Sequence, residues 1–184
     1  IDIAALSLAA AGIEIPESMQ AQDIFAADYA PRDAAYSARD RCDETVDYLR
    51  SVRTERIKYI RNYLHQRPHM MPNRYKDAKA IIVALRGAHA AGELTPEQAP
   101  LFAATRAPEE LYDLVKDPHE LNNLAGDSKY ASLLKSMRWK LHDWEQRTGD
   151  KGRESAAMYE SDLVVQTAKV KNGNPDQLGT FLGN

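Results

Sequence analysis

The sequence predicts an α+β fold: a small antiparallel sheet packed against a long C-terminal helix. Three stretches carry that expectation. In "YASLLKSMRWKLHDW", Tyr130, Leu133, Leu134, Met137, Leu141 and Trp144 recur at helical spacing and form one apolar stripe. In "VDYLRSVRTERIKYIRNYL", residues 46–64, β-branched and aromatic residues are dense on both sides of "TER", as in a β-hairpin. In "EELYDL", Leu111 and Asp113 alternate with Tyr112 and Leu114, the pattern of a half-buried strand.

The remaining elements follow in chain order. Residues 2–11 read as a helix with Ile3, Leu6 and Ala10 on one stripe, Asp2 as its N-cap and Gly12 as its stop. Pro16 ends helical continuation in "IEIPESMQAQDIF". "AAYSARD", 34–40, reads as a short strand. For residues 46–64 the alternative to a hairpin is an arginine-rich amphipathic helix; the run of Val, Ile, Thr and Tyr favours strands. "HQRPHMMPNRY" carries two prolines and is irregular, and 76–91 reads as helical. "LTPEQ" has the capping-box pattern, with Thr95 at N-cap, Pro96 at N1 and Gln98 at N3. In "DPHE", Asp117 and Glu120 read as two halves of another helix cap, closed by Asn122 and Asn123. Asp127 or Ser128 caps the long helix, which is expected to run from 128 to about 147. Residues 148–184 form a tail rich in Gly and Asn near its end.

Composition narrows the function. The 184 residues are 43% hydrophobic and 28% charged, as in a globular chain with a sizeable core. A net charge of −3 argues against a general nucleic-acid binder. No apolar run approaches the roughly 20 residues of a membrane span, so neither nucleic acid nor membrane is expected as a partner. The single cysteine, Cys42, cannot make an internal disulfide. Arg41 would favour its thiolate but Asp43 and Glu44 oppose it, and no thiol nucleophile is expected. The five histidines are scattered and show no metal-binding spacing. The chain opens without Met, inside a helical pattern, and is therefore expected to be the later part of a longer protein.

Charge is uneven along the chain. Residues 39–76 hold ten basic and five acidic side chains, a local net charge of +5. Arginine suits bidentate recognition of oxyanions, while a solvated face laced with ion pairs explains the same composition. "RDRCDET", 39–45, mixes arginines with carboxylates. That mixture fits a charged sugar and equally fits a structural salt-bridge cluster.

Three segments resemble the sulfatases of the alkaline phosphatase superfamily. "ELYDLVKDPHELNNLA" is similar to that family's late "ELYDL…DP.E..NLA" segment. "LRSVRTERIKYIRN" resembles its preceding hairpin. "IDIAALSLAAAGIEIPESMQAQD" resembles the "D..PT.L.LAGI..P…QG" segment that follows the catalytic region. Ala5 and Leu6 stand where the family tends to have Pro-Thr, and Ala21 where it has Gly. "SARDRCDETVDYLRSVRT" and the region 117–150 most resemble the N-sulfoglucosamine sulfohydrolase (heparan N-sulfatase) branch.

The resemblance implies that residues 1–33 end an α/β catalytic domain and its linker, that 34–147 form the C-terminal subdomain of an alkaline phosphatase-like α/β sulfatase fold, and that 148–184 are a tail. It implies a formylglycine nucleophile and Ca²⁺ in an N-terminal catalytic domain upstream, since no Cys/Ser-x-Pro/Ala-x-Arg motif occurs here. The segment alone would be inactive and have no catalytic or metal-binding residue of its own. Its substrate would be a sulfated saccharide or another sulfate ester. Asp43 and Glu44 would contact sugar hydroxyls or a substrate nitrogen. Arg39 and Arg41 would meet carboxylate or sulfate groups, with His69 as a further contact. Family habit places such enzymes in the periplasm, outside the cell or in the lysosome. The alternatives are a stand-alone module that grips sulfated glycans through the basic hairpin and a purely structural α+β cap.

Overall fold

A computed structural model describes residues 2–42, 45–152 and 157. The chain divides into two compact units between Ala34 and Ala35. Asp43, Glu44 and nearly all of the expected tail lie outside the described residues. Among the described residues no helix is long and apolar enough to cross a membrane.

The first unit contains α1, Asp2–Ala10. Its end is a Schellman motif: Gly12 takes φ 70°, its N–H bonds to Ala9 O, and the Ile13 N–H bonds to Leu8 O at 2.9 Å. Asp2 does not act as the expected cap. Its carboxylate accepts two hydrogen bonds from Arg32, at 2.7 and 2.8 Å, and one from the Gln22 N–H. The expected stripe is not the buried one either, because Ile3 is exposed and Ala5 is buried.

The second unit is built on a four-stranded antiparallel sheet in the order β1-β2-β3-β4, formed by Ala35–Cys42, Thr45–Arg53, Ile57–Asn62 and Glu109–Asp113. The hairpin reading of 46–64 holds, with its turn at 54–56. Cross-strand partners share a face. Tyr36, Val52, Tyr59 and Leu111 are in register and form one transverse row. On that face lies the long helix, Ala131–Thr148, which burying Leu134, Met137 and Leu141 holds against β2 and β3. Each such side chain contributes about 1.5–3 kcal/mol on burial. Trp144 stacks on Tyr36 with ring centroids 5.2 Å apart. Asp127 caps the 3₁₀ turn that leads into this helix, its carboxylate accepting from the Lys129 N–H at 2.9 Å. Gly149, at φ 61°, ends it.

Between β3 and β4 the chain makes an excursion from 63 to 108. The expected single helix over 76–91 is two, Arg74–Asp77 (α2) and Ala80–Ala91 (α3), which makes the long helix α4. The first closes on itself: Asn73 caps Lys76 N–H, and the Asp77 carboxylate accepts from Asn73 N–H at 3.0 Å. No residue of α3 is buried. The Thr95 box forms in part, its N–H bonding to the Gln98 side chain at 3.0 Å, but it opens a turn and a 3₁₀ segment at Ala99–Phe102.

β4 is buried on both faces rather than one: Glu110, Leu111, Tyr112 and Asp113 all lose solvent contact. Its outer edge is covered locally. The Asn123 side-chain oxygen accepts from Leu111 N–H at 2.9 Å, its Nδ2 donates to Glu109 O at 2.9 Å, and Leu124 N–H bonds to Leu111 O at 2.8 Å. The "NNLA" segment thus blunts an edge strand. Asn123→Ala is expected to cost about 1–3 kcal/mol, because Leu111 N–H is left buried without a partner. Urea unfolding measures it; a loss below about 0.5 kcal/mol, the level of an ordinary surface change, would contradict the assignment.

No helix cap forms at "DPHE". The Asp117 carboxylate accepts from Asn122 N–H at 2.7 Å. Glu120 adopts φ 57° and its carboxylate takes Lys58 Nζ at 2.7 and 2.8 Å. The left-handed residue is Glu120, not one of the asparagines, and the distant Lys58 holds it.

Candidate functional site

The face of the sheet opposite α4 carries polar rows. Arg39, Leu49 and Asn62 are in register, as are Ser37, Ser51, Ile60 and Glu110, then Ala35, Arg53, Lys58 and Tyr112. Leu49, Ser51 and Ile60 sit there among charged neighbours. The irregular chain before α2 and the segment before β4 lie alongside: Asn62 N–H bonds to Pro108 O, and Arg106 N–H to His65 O.

Much of the basic charge in 39–76 is spent inside the fold. Arg50 is 1% exposed and is held by Asp40 and Asp150. Arg56 binds Asp113, Lys58 binds Glu120, and Arg61 approaches Glu109 at 3.5 Å. Arg67 donates to Val46 O. The segment is therefore laced with ion pairs and is not an open cationic patch. Arg39 differs. Its guanidinium makes no hydrogen bond to another described residue, and its Nε is buried without a partner.

Beside it lies a buried ion pair. Asp47 and Arg106 side chains are 5% and 3% exposed. Both terminal nitrogens of Arg106 donate to the Asp47 carboxylate, one of them at 3.0 Å. Arg106 also donates to Leu64 O, while its Nε is buried without a partner. Burial alone would raise the Asp47 pKa. The Arg106 hydrogen bonds, the Tyr48 N–H and the charges of Arg106 and Arg39 outweigh it and hold the carboxyl below its ordinary range. Glu110 is also buried and accepts from Asn62 Nδ2 at 2.5 Å and from Tyr112 OH at 2.6 Å.

A carboxyl with a lowered folded-state pKa binds fewer protons than in the unfolded chain. Its contribution is complete above the unfolded value of about 4 and is lost as pH falls through the folded value. Asp47, Asp113, Asp150 and Glu109 are all shifted down. From these carboxyls unfolding free energy is expected to be flat from pH 7 to about 5 and to fall below about 4, with the lowered His69 adding a small decline as pH drops below about 6.5. Urea titrations across pH measure this. Undiminished stability at pH 3 would contradict it.

The structure brings Arg39 and His69 to the same pair. Arg39 acts on Asp47 through its charge. Burial pushes the His69 pKa down and Arg106 adds to that, while Glu110 and Asp47 oppose it. The residue as a whole stays exposed, so water damps each of these effects. Arg41 sits partly exposed in β1, beyond a register shift between Arg39 and Arg41. Asp43 and Glu44 lie outside the described residues. Cys42 is exposed, and its carbonyl accepts from Asn73 Nδ2 at 3.2 Å. Asp47 and Arg106 were not singled out from sequence. The available signal was a lone carboxylate inside the apolar strand "TVDYL", which requires a buried partner.

On the opposite side, a cavity of about 220 Å³ opens between α4 and the sheet, lined by Tyr59, Arg61, Tyr63, Arg138, Leu141, His142 and Glu145. Its cations are committed: Glu109 accepts from both Arg138 and Arg61, and Tyr63 OH donates to Glu145 at 2.7 Å. Among the described residues no group of three His, Cys, Asp or Glu side chains could hold a metal ion.

No family model matches the chain. It is 34% identical over 177 residues to an ulvan-active sulfatase of Formosa agariphila, an alignment that covers 95% of the chain and 29% of that protein. It is 49% identical over 45 residues to human N-sulphoglucosamine sulphohydrolase, covering 24% of the chain and 9% of that enzyme. Among solved structures, a 2-O GAG sulfatase superposes with a TM-score of 0.52 at 20% identity, over 86% of this chain and 28% of that one. A protein of Bacteroides thetaiotaomicron VPI-5482 assigned to the sulfatases matches equally, with a TM-score of 0.52. These likenesses show the fold of a sulfatase segment. The chain spans less than a third of the length of the relatives it matches.

Proposed function

We propose that this chain, a homologue of one segment of the sulfatases, forms the C-terminal subdomain of a longer sulfatase and shapes its substrate cleft. The enzyme would hydrolyse a sulfate ester or sulfamate on a sulfated saccharide. The observation that carries the reading is Arg39: alone in its row it carries a guanidinium whose Nε has no hydrogen-bond partner, on the polar face of the sheet opposite α4. A planar fork of that kind suits a sulfate or carboxylate group. Arg41, Asp43, Glu44 and His69 complete the proposed contact set. The similarity to N-sulphoglucosamine sulphohydrolase, although short, favours a heparan N-sulfatase-like substrate among the alternatives.

A formylglycine nucleophile and Ca²⁺ would be supplied by the N-terminal catalytic domain and would carry the sulfuryl transfer. The residues of this chain would bind and orient the sugar. Binding energy from such remote contacts raises the rate by positioning the reacting group. The coding sequence upstream of Ile1 tests the reading. A segment of several hundred residues containing Cys/Ser-x-Pro/Ala-x-Arg is expected; a start codon directly before Ile1 would overturn it in favour of a stand-alone glycan-binding module.

Glu44→Gln in the full-length enzyme is expected to lower kcat/KM on the saccharide about tenfold or more, the scale of a lost hydrogen bond to a charged group, and to spare a small aryl sulfate. Equal loss on both substrates would contradict a contact to the sugar.

A further inference from the structure

Arg50 is the most completely engaged side chain on the helix-covered face. Its Nε donates to Asp150 Oδ2 at 2.5 Å and its Nη2 to Asp150 Oδ1 at 3.0 Å. Its Nη1 donates to Asp40 Oδ1 at 2.7 Å, to Leu49 O at 2.8 Å and to Arg39 O at 3.4 Å. The guanidinium carbon lies 4.4 Å from the centre of the Tyr48 ring. Asp150 is itself fixed, since its Oδ1 also accepts from Gly152 N–H at 3.0 Å. Gly152 takes φ 70°, and a Cβ there would stand 2.8 Å from Tyr48 OH and displace it.

These bonds meet at one irregularity. The β1–β2 register shifts between Arg39 and Arg41, so Asp40 stands where regular pairing stops. Bulges re-aim side chains and recur beside binding sites. Arg50 grips both the backbone of Arg39 and the side chain of Asp40. It ties this irregularity to the chain beyond α4, some 100 residues away.

We propose that Arg50 is a positioning residue for the saccharide site: by holding from the opposite face the Arg39–Asp40 segment, which lies across from the β2 bulge at Asp47–Tyr48, it sets the direction in which the Arg39 guanidinium is presented. This rests on the reading that Arg39 meets the substrate's oxyanion. Lysine at position 50 keeps the charge but cannot bridge two carboxylates and two carbonyls with a planar fork. Asp40 is about half exposed, so Asp40→Asn loosens the same segment with little risk to folding.

The test is a double-mutant cycle in the full-length enzyme, with kcat/KM measured on a sulfated disaccharide and on an aryl sulfate. Arg50→Lys is expected to lower kcat/KM on the disaccharide about tenfold and on the aryl sulfate less than twofold. In the Arg39→Ala background the same change should cost less than twofold on either. Asp40→Asn should show the same selective pattern at about threefold. Equal losses with and without Arg39, or equal losses on both substrates, would overturn the positioning role alone. No effect of Arg39→Ala on the disaccharide would overturn it together with the reading beneath it.

Discussion

Asp47→Ala is expected to destabilise the fold by about 3–5 kcal/mol, the cost of stranding one charge of a buried pair. The Arg106 side chain, 3% exposed, would lose the carboxylate that takes both of its terminal nitrogens. Its Nε already lacks a partner, so Leu64 O would remain as the single acceptor among the described residues. The pair joins β2 to the segment before β4 across 59 residues. Its loss should therefore loosen the loop that carries His69. Replacing both residues together, Asp47→Leu with Arg106→Leu, is expected to cost much less than Asp47→Ala alone, because no charge is left behind. Chemical denaturation of the three proteins measures this. A loss below about 1 kcal/mol for Asp47→Ala, typical of an average substitution, would show that the pair is solvated in solution.

Arg39→Ala is the second large effect, and it concerns substrate rather than stability. Hydrogen bonds to charged groups contribute about 1.5–3 kcal/mol, or roughly 10–100-fold in kcat/KM. That loss is expected on a sulfated disaccharide in the full-length enzyme, with less than threefold on an aryl sulfate that lacks the second anionic group. Folding should change little, since Arg39 makes no hydrogen bond to another described residue through its side chain and acts on Asp47 by charge alone. Comparable losses on both substrates would contradict a contact to the saccharide.

Local patterns reached the elements and stopped at the distant pairs. The α4 stripe was legible because Leu134, Met137 and Leu141 repeat at the helical period and are the residues the helix buries. The β2–β3 hairpin was legible because β-branched and aromatic residues dominate both strands. "DPHE" was misread because Glu120 three residues after Asp117 satisfies the capping pattern, while its actual partner, Lys58, lies 62 positions away. β4 was read as half buried because alternation cannot show that a second layer, anchored by Asn123, covers its edge. The buried pair beside Arg39 and His69 was not legible, because no local pattern links residues so far apart in the chain. Asp47 carries a signal in its apolar strand, but its partner Arg106, 59 positions away, shows none in its local sequence.

These residues are proposed to recognise the saccharide, with the chemistry carried by residues outside them. The direct measurement is release of inorganic sulfate from a sulfated disaccharide, by the full-length protein and by the 184-residue chain alone. Release by the full-length protein and none by the chain is the predicted result. Sulfate release by the chain alone, at any rate above the uncatalysed one, would contradict it.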